Sequence, residues 1–427
     1  MLDINIAVAA STFLIALFAQ ALLVRRHFSG ILDPLAYFII TSSFSVTLAA
    51  TLIDDISILV RVVIYFIFFW LGFLVTTPPP QNPKLTNIGY RIRKDSSFSI
   101  IVATGVLIVV IANIFAWQRV GIPVFSTDPS LHKSESLTDG LGVVRRINWG
   151  LGTFLFMGSV FWALFNRSKI AFLCLAVLAL VATFNGSKSA LLPMIFALGL
   201  FINRPFLNSQ SASITDPVRS LSRYALAVAA IPILIVLFIE SNGVSEAAIA
   251  LGTRLLYFGD ALLYWSDPDL RQHFKSANPS SSYLTHLFGG VLGAMRLVSY
   301  SPPMGNDFVQ FSLRVGQEIS DTLGPNIPFY VKGEVFFGPR FAAVYSAVIG
   351  VAVGFFRRLF FRKSLSSLTS YTVFATLAGL SITLPVEDSL MVNRFFDFTI
   401  FIIPVVVFSK IIVWAARRPP PTKYDYS

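Results

Sequence analysis

Only one cysteine, Cys174, occurs in the 427 residues, and it lies inside an apolar run. A disulfide framework and a thiolate metal site are thereby excluded. Histidine is nearly as scarce: the four are His27, His132, His273 and His286. None pairs with another at the His-x-x-x-His or His-Glu-x-x-His spacing that sets two imidazoles on one helix face, which argues against zinc. Charge is sparse too. Asp, Glu, Lys and Arg make up 13% of the chain and hydrophobic residues 55%, whereas a soluble chain is about 25% charged. A soluble core could not hide that much apolar surface. The Gly-x-Ser-x-Gly elbow is missing, which removes the commonest serine-hydrolase signal, and so is the Gly-x-x-x-x-Gly-Lys phosphate loop. No charged-then-apolar leader with a small-residue cleavage site opens the chain, so the first run is expected to stay as a helix.

What the chain has in abundance is long apolar runs. They recur at about 16–22 residues, close to the roughly 20 needed to cross hydrocarbon. The runs are continuous rather than alternating, and lipid forces every backbone polar group to be satisfied internally, so helices are favoured over a barrel. The expected fold is an all-α polytopic membrane protein, one integral membrane domain over residues 1–427. About 11 transmembrane helices are read at 4–24, 35–53, 57–76, 98–117, 149–165, 170–185, 188–203, 225–240, 338–356, 367–385 and 395–416.

Alternate connections then share a side, and the charges sort accordingly. One set holds Arg25, Arg26, Arg91, Arg93, Lys94, Arg219, Arg223, Arg357, Arg358, Arg417 and Arg418, with only Asp33, Asp95, Asp216 and Asp425 against them. The positive-inside rule makes that set cytoplasmic, with the N-terminus outside and the C-terminus inside. The net charge of +11 is thus assigned to membrane topology and not to nucleic acid.

On the outer face two loops stand out, 118–148 and a much larger one at 241–337. A connection that long is functional or disordered, and this one is rich in apolar residues. Ala247–Trp265 and Tyr283–Val298 read as amphipathic helices along the membrane surface or over a cavity.

The most unusual stretch is Gly324-Pro-Asn-Ile-Pro-Phe-Tyr-Val-Lys-Gly333-Glu334-Val-Phe-Phe-Gly338, where polar sequence turns back into an apolar span. A carboxylate between glycines at a membrane boundary is costly, and is by default a functional candidate. Arginines on this face, among them Arg145, Arg254, Arg314, Arg340 and Arg394, have the planar fork that suits phosphate oxygens. Lys188, in the tight turn Asn185-Gly-Ser-Lys188, is either a snorkelling anchor or a cation at a cavity floor. Arg254 and Tyr257 share a helix face.

Four of these phrases resemble the Wzy-type O-antigen polymerases, within the wider group of lipid-linked glycan polymerases and ligases. They are Gly121-Ile-Pro-Val-Phe-Ser126, Asn185-Gly-Ser-Lys-Ser-Ala-Leu-Leu, Arg254-Leu-Leu-Tyr257, and Gly324-Pro-Asn followed by Gly333-Glu334-Val-Phe-Phe-Gly338. Phe336 stands where the family often has Tyr, and Lys188 where it often has Arg. The resemblance implies a metal-independent, cofactor-free glycosyltransferase in the bacterial inner membrane. It would join undecaprenyl-pyrophosphate-linked repeat units into O-antigen or a related polysaccharide on the outer leaflet, with a chain-length regulator and a flippase as further partners. In that scheme Arg254, Arg145 and Lys188 face the pyrophosphate. Glu334 is the base or the acceptor-orienting group, Arg314, Arg340 and Arg394 are further cavity cations, and Tyr257 borders the sugar. Two alternatives stay open: an O-antigen ligase, which His286 in the large loop keeps alive, and a transporter or lipid flippase.

Overall fold

The computed structural model describes residues 6–27, 32–53, 55–77, 96–126, 141–166, 168–186, 192–203, 257–276, 283–298, 304–313, 324–362 and 367–416. All regular structure among them is helical. In chain order the helices are α1 (Ile6–Leu23), α2 (Pro34–Leu52), α3 (Ile56–Thr76), α4 (Ser96–Val120), α5 (Gly142–Asn166), α6 (Lys169–Phe184), α7 (Leu192–Asn203), α8 (Asp260–Ser266), α9 (Pro268–Ser276), α10 (Tyr283–Ala294), α11 (Met304–Leu313), α12 (Phe329–Arg362), α13 (Leu368–Leu380) and α14 (Asp388–Ala416). Six of them, α2, α3, α4, α5, α12 and α14, are long and apolar enough to cross a membrane. The shorter apolar helices α1, α6, α7 and α13 coincide with four more of the expected spans, and the span read at 225–240 lies outside the described residues. Leu14, Ile15, Phe18, Ile67, Leu71, Leu107 and Ile111 point outward. The protein is a helical membrane protein.

Two apolar cores hold the bundle together. One packs α4, α5, α6, α7, α13 and α14 around Phe154, Phe161, Phe201 and Tyr371. The other packs α2, α3 and α12 with the short helices α8, α9 and α11 around Phe69, Trp70, Phe308 and Phe329. Within the second core α3 and α12 touch backbone to backbone: a Cβ at Gly350 would strike the Phe69 carbonyl, and one at Gly72 that of Ala347. In a bilayer, where apolar burial does not drive helices together, such close approach supplies the association.

The largest departure from the sequence reading lies at the Glu334 stretch. Residues 329–337, expected to close the large outer loop, form a buried helical segment that the chain leaves at Gly338, with φ 72° and ψ 168°. Only glycine adopts that backbone cheaply, and Pro339 follows it. The segment then lies back against the long remainder of α12, since a Cβ at Gly333 would sit 3.1 Å from Ala342. Proline and glycine mark the ends of this segment rather than a loop. Arg145 and its neighbour Arg146 likewise sit on helix, at the start of α5 rather than in the 118–148 loop, and Arg394 is inside α14. Of the two amphipathic helices expected in the large loop, the second matches α10 and the first is seen only from residue 257 onward.

Candidate functional site

Polar side chains gather in three groups near the N-terminal ends of α3, α5, α12 and α14. The first surrounds Glu334. Arg61 Nε and Tyr65 Oη, one turn apart on α3, both donate to Glu334 Oε1, at 2.8 and 2.7 Å, and Trp265 Nε1 of α8 donates to Oε2 at 2.8 Å. Both oxygens are therefore occupied and the charge is matched by Arg61. This is the geometry of a tie between α3, α8 and α12, with both carboxylate oxygens engaged by donors.

The second group lies across the same short segment. Lys332, fully buried, contacts Glu387 and Asp388, the latter at 2.5 Å. Asp388 Oδ2 also accepts from Tyr345 at 2.6 Å and Tyr283 at 2.8 Å. Glu387 accepts from the Ile327 amide and Ser389 Oγ, each at 2.8 Å. Burial alone would raise the Glu387 carboxyl, but Lys332, the nearby His286 and the Ile327 amide hold it at about 2. Burial, reinforced by Asp388, raises the Tyr283 phenol. His286 Nε2 stands 3.9 Å from Glu387 Oε1, beyond hydrogen-bond reach, and has no hydrogen-bond partner although it is shielded from solvent. His286, Glu387 and Asp388 are close enough to one another to share a cation, and the Lys332 ammonium already serves both carboxylates. One ammonium against two carboxylates leaves a negative excess beside the imidazole.

The third group joins α5, α10 and α14. Arg146 reaches Asp397 at 2.7 Å and the Gly290 carbonyl at 2.7 Å. Its neighbour Arg145 packs over the Trp149 ring at 5.2 Å, and Arg394 approaches the same ring at 5.9 Å. Neither Arg145 nor Arg394 has an ion pair with a carboxylate among the described residues, and the Nε of each is shielded with no acceptor. Asp397, paired with Arg146, also lies within electrostatic reach of Arg145, and two guanidiniums gathered at one ring suit the oxygens of an anion. Helix α10 spans the second and third groups, because Tyr283, His286 and Gly290 recur on one of its faces at helical spacing. Its other side, at Phe288 and Val291, borders an apolar cavity of about 430 Å³ shared with Phe356, Leu384, Met391 and Phe395.

Of the residues the sequence singled out, the structure brings Arg145 and Arg394 together. Glu334 belongs to a different group, with Arg61, Tyr65 and Trp265. Arg340 is exposed just past the Gly338 break, and Tyr257 opens a short 3-10 turn whose next residue accepts from Ser45 Oγ at 2.9 Å. Arg254, Lys188 and Arg314 lie outside the described residues. Sequence reasoning counted Lys332 only as one of several cations on the outer face, and passed over Asp388, Trp149 and the Arg61–Glu334 pair. The available signal was the acid doublet Glu387-Asp388 beside an apolar run, since two adjacent carboxylates there demand a cation.

Near these groups, burial lifts the Asp260 carboxyl at the start of α8 to about 7, only partly offset by the Ala261 and Asp260 amides. A folded-state value raised above the unfolded one means that the group's contribution is fully present at low pH and is lost as pH rises through the folded value. The thermal midpoint is thus expected to fall between about pH 4 and pH 7, and Asp260→Asn to flatten that slope. An identical pH profile in the variant would remove Asp260 as its source.

No protein-family model, characterised protein or solved structure matches this chain.

Proposed function

We propose that the protein is a glycosyltransferase that polymerises oligosaccharide repeat units carried on undecaprenyl pyrophosphate, at the outer leaflet of a bacterial inner membrane. The observation that carries this reading is the meeting of Arg145 and Arg394 at the Trp149 ring, neither of them in an ion pair among the described residues, which offers an anion site at membrane level. Charged residues of this kind lie towards the N-terminal ends of α5, α12 and α14 here, as an enzyme working at the leaflet surface requires. A carrier crossing the bilayer would place them at mid-span.

In the reaction an acceptor hydroxyl attacks the anomeric carbon of the donor sugar. The bond from that carbon to the phosphate oxygen breaks, and its electron pair leaves on the pyrophosphate. Fixed guanidiniums in a dry site stabilise the charge that develops there without a metal. The hydroxyl proton needs a base. Glu334, bound by three donors, is cast as a structural carboxylate, and His286 takes the base role because its Nε2 is unpartnered beside the ionised Glu387. The same histidine supports the ligase alternative, in which finished polymer passes to a lipid A core sugar.

Lipid-linked repeat units supplied to the purified protein in nanodiscs should yield a ladder of polymer on a gel. Arg394→Ala is expected to slow ladder formation about 10²-fold or more, with His286→Ala similarly impaired. A ladder of unchanged rate from Arg394→Ala would refute the anion-site reading. Lipopolysaccharide from a deletion strain separates the alternatives: core plus one repeat marks a polymerase, bare core a ligase.

A further inference from the structure

Three stretches that stand apart in sequence, the Gly121–Ser126 phrase, the Asn185 turn and the arginine end of α5, meet at the outer ends of α4, α5 and α6. Amides join them. Asn113 of α4, 1% exposed, exchanges a reciprocal pair of bonds with Asn148 of α5, at 2.8 and 3.0 Å. It also donates to the Val109 carbonyl at 2.7 Å. Asn185, the C-cap of α6 just before Gly186 turns the chain at φ 62°, donates to Asn113 Oδ1 at 2.6 Å and accepts from Trp117 Nε1 at 2.8 Å. The rings of Trp117 and Phe125 both rest against Phe184, at 5.6 and 5.9 Å. A satisfied polar network in a low-dielectric setting is rigid, because each bond lost leaves a buried group unpaired.

The position of this network gives it a further role. Asn148 precedes Trp149 and follows Arg145 by one helical turn, so the bonds that fix Asn148 also fix the rotation of α5 about its axis. We infer that Asn113 and Trp117 are positioning residues: through Asn148 and Asn185 they hold Arg145 beside Arg394 at the Trp149 ring, so that two guanidiniums can engage the two phosphates of a pyrophosphate. This rests on the reading of Arg145 and Arg394 as a pyrophosphate site.

The test uses the purified full-length protein in nanodiscs, titrated with farnesyl pyrophosphate and with farnesyl monophosphate. The unmodified protein is expected to prefer the pyrophosphate, and Arg394→Ala to lose binding of both probes. Asn113→Leu and the milder Trp117→Phe, which removes only the bond to Asn185, should each cut the preference for pyrophosphate by about tenfold. A merely structural lesion would lower the number of sites per protein and leave the ratio of the two affinities intact, and that result overturns the positioning role. Trp117→Phe keeps the test decisive where Asn113→Leu does not fold. If the unmodified protein binds neither probe, the anion-site reading falls, and the positioning role with it.

Discussion

Lys332→Met is expected to destabilise the protein by about 3–5 kcal/mol, the cost of leaving a buried charge without its partner. The ammonium is fully buried and serves both Glu387 and Asp388. Methionine matches its length but offers no charge, so two adjacent carboxylates would face each other in a site that His286 alone could partly neutralise. Cys174, the only cysteine, is buried, so labelling by a thiol-reactive fluorophore on heating reports unfolding directly. The triple variant Lys332→Met, Glu387→Gln, Asp388→Asn should recover most of the lost thermal midpoint, because removing all three charges also removes the cost of burying them. A single variant that melts with the unmodified protein would show that the cluster does not hold α12 to α14.

Asp33→Ala is expected to be as damaging at the opposite end of the bundle. Arg357 of α12 binds both Asp33 oxygens, at 2.7 and 2.6 Å, with both residues buried. Asp33 also caps α2 by accepting from the Leu35 amide at 2.9 Å. Alanine orphans the guanidinium, at about 3–5 kcal/mol, and removes the cap, at about 1 kcal/mol more. Asn in place of Asp33 keeps the cap acceptor and one contact to Arg357. It should therefore melt measurably above the alanine variant in the same labelling assay. Equal midpoints for the two would mean that the cap contributes nothing.

Both sites show where sequence reasoning holds and where it stops. The architecture is a matter of solvent: a chain with 55% hydrophobic and 13% charged residues, arranged in continuous runs, has no stable course but to place helices in lipid. That much needs no knowledge of which helix meets which. The arginine end of α5 and Arg394 could be marked as candidates because cations at a membrane boundary are costly without a purpose. Their convergence on Trp149 could not, since it depends on α5 packing against α14 across more than two hundred residues of chain.

Glu334 is the sharper case. Its glycines and prolines signal a break in regular structure, and such residues mark the end of a helix as readily as the middle of a loop. The sequence by itself determined that the chain is helical and membrane-embedded. Only the tertiary structure decided that Glu334 is spent on Arg61, Tyr65 and Trp265, that Lys332 is buried between two acids, and that Arg145 and Arg394 meet at Trp149. The reason is physical. Hydrophobicity acts on each segment separately and can be read locally, whereas the partner of a buried charge is fixed by contacts between helices distant in sequence.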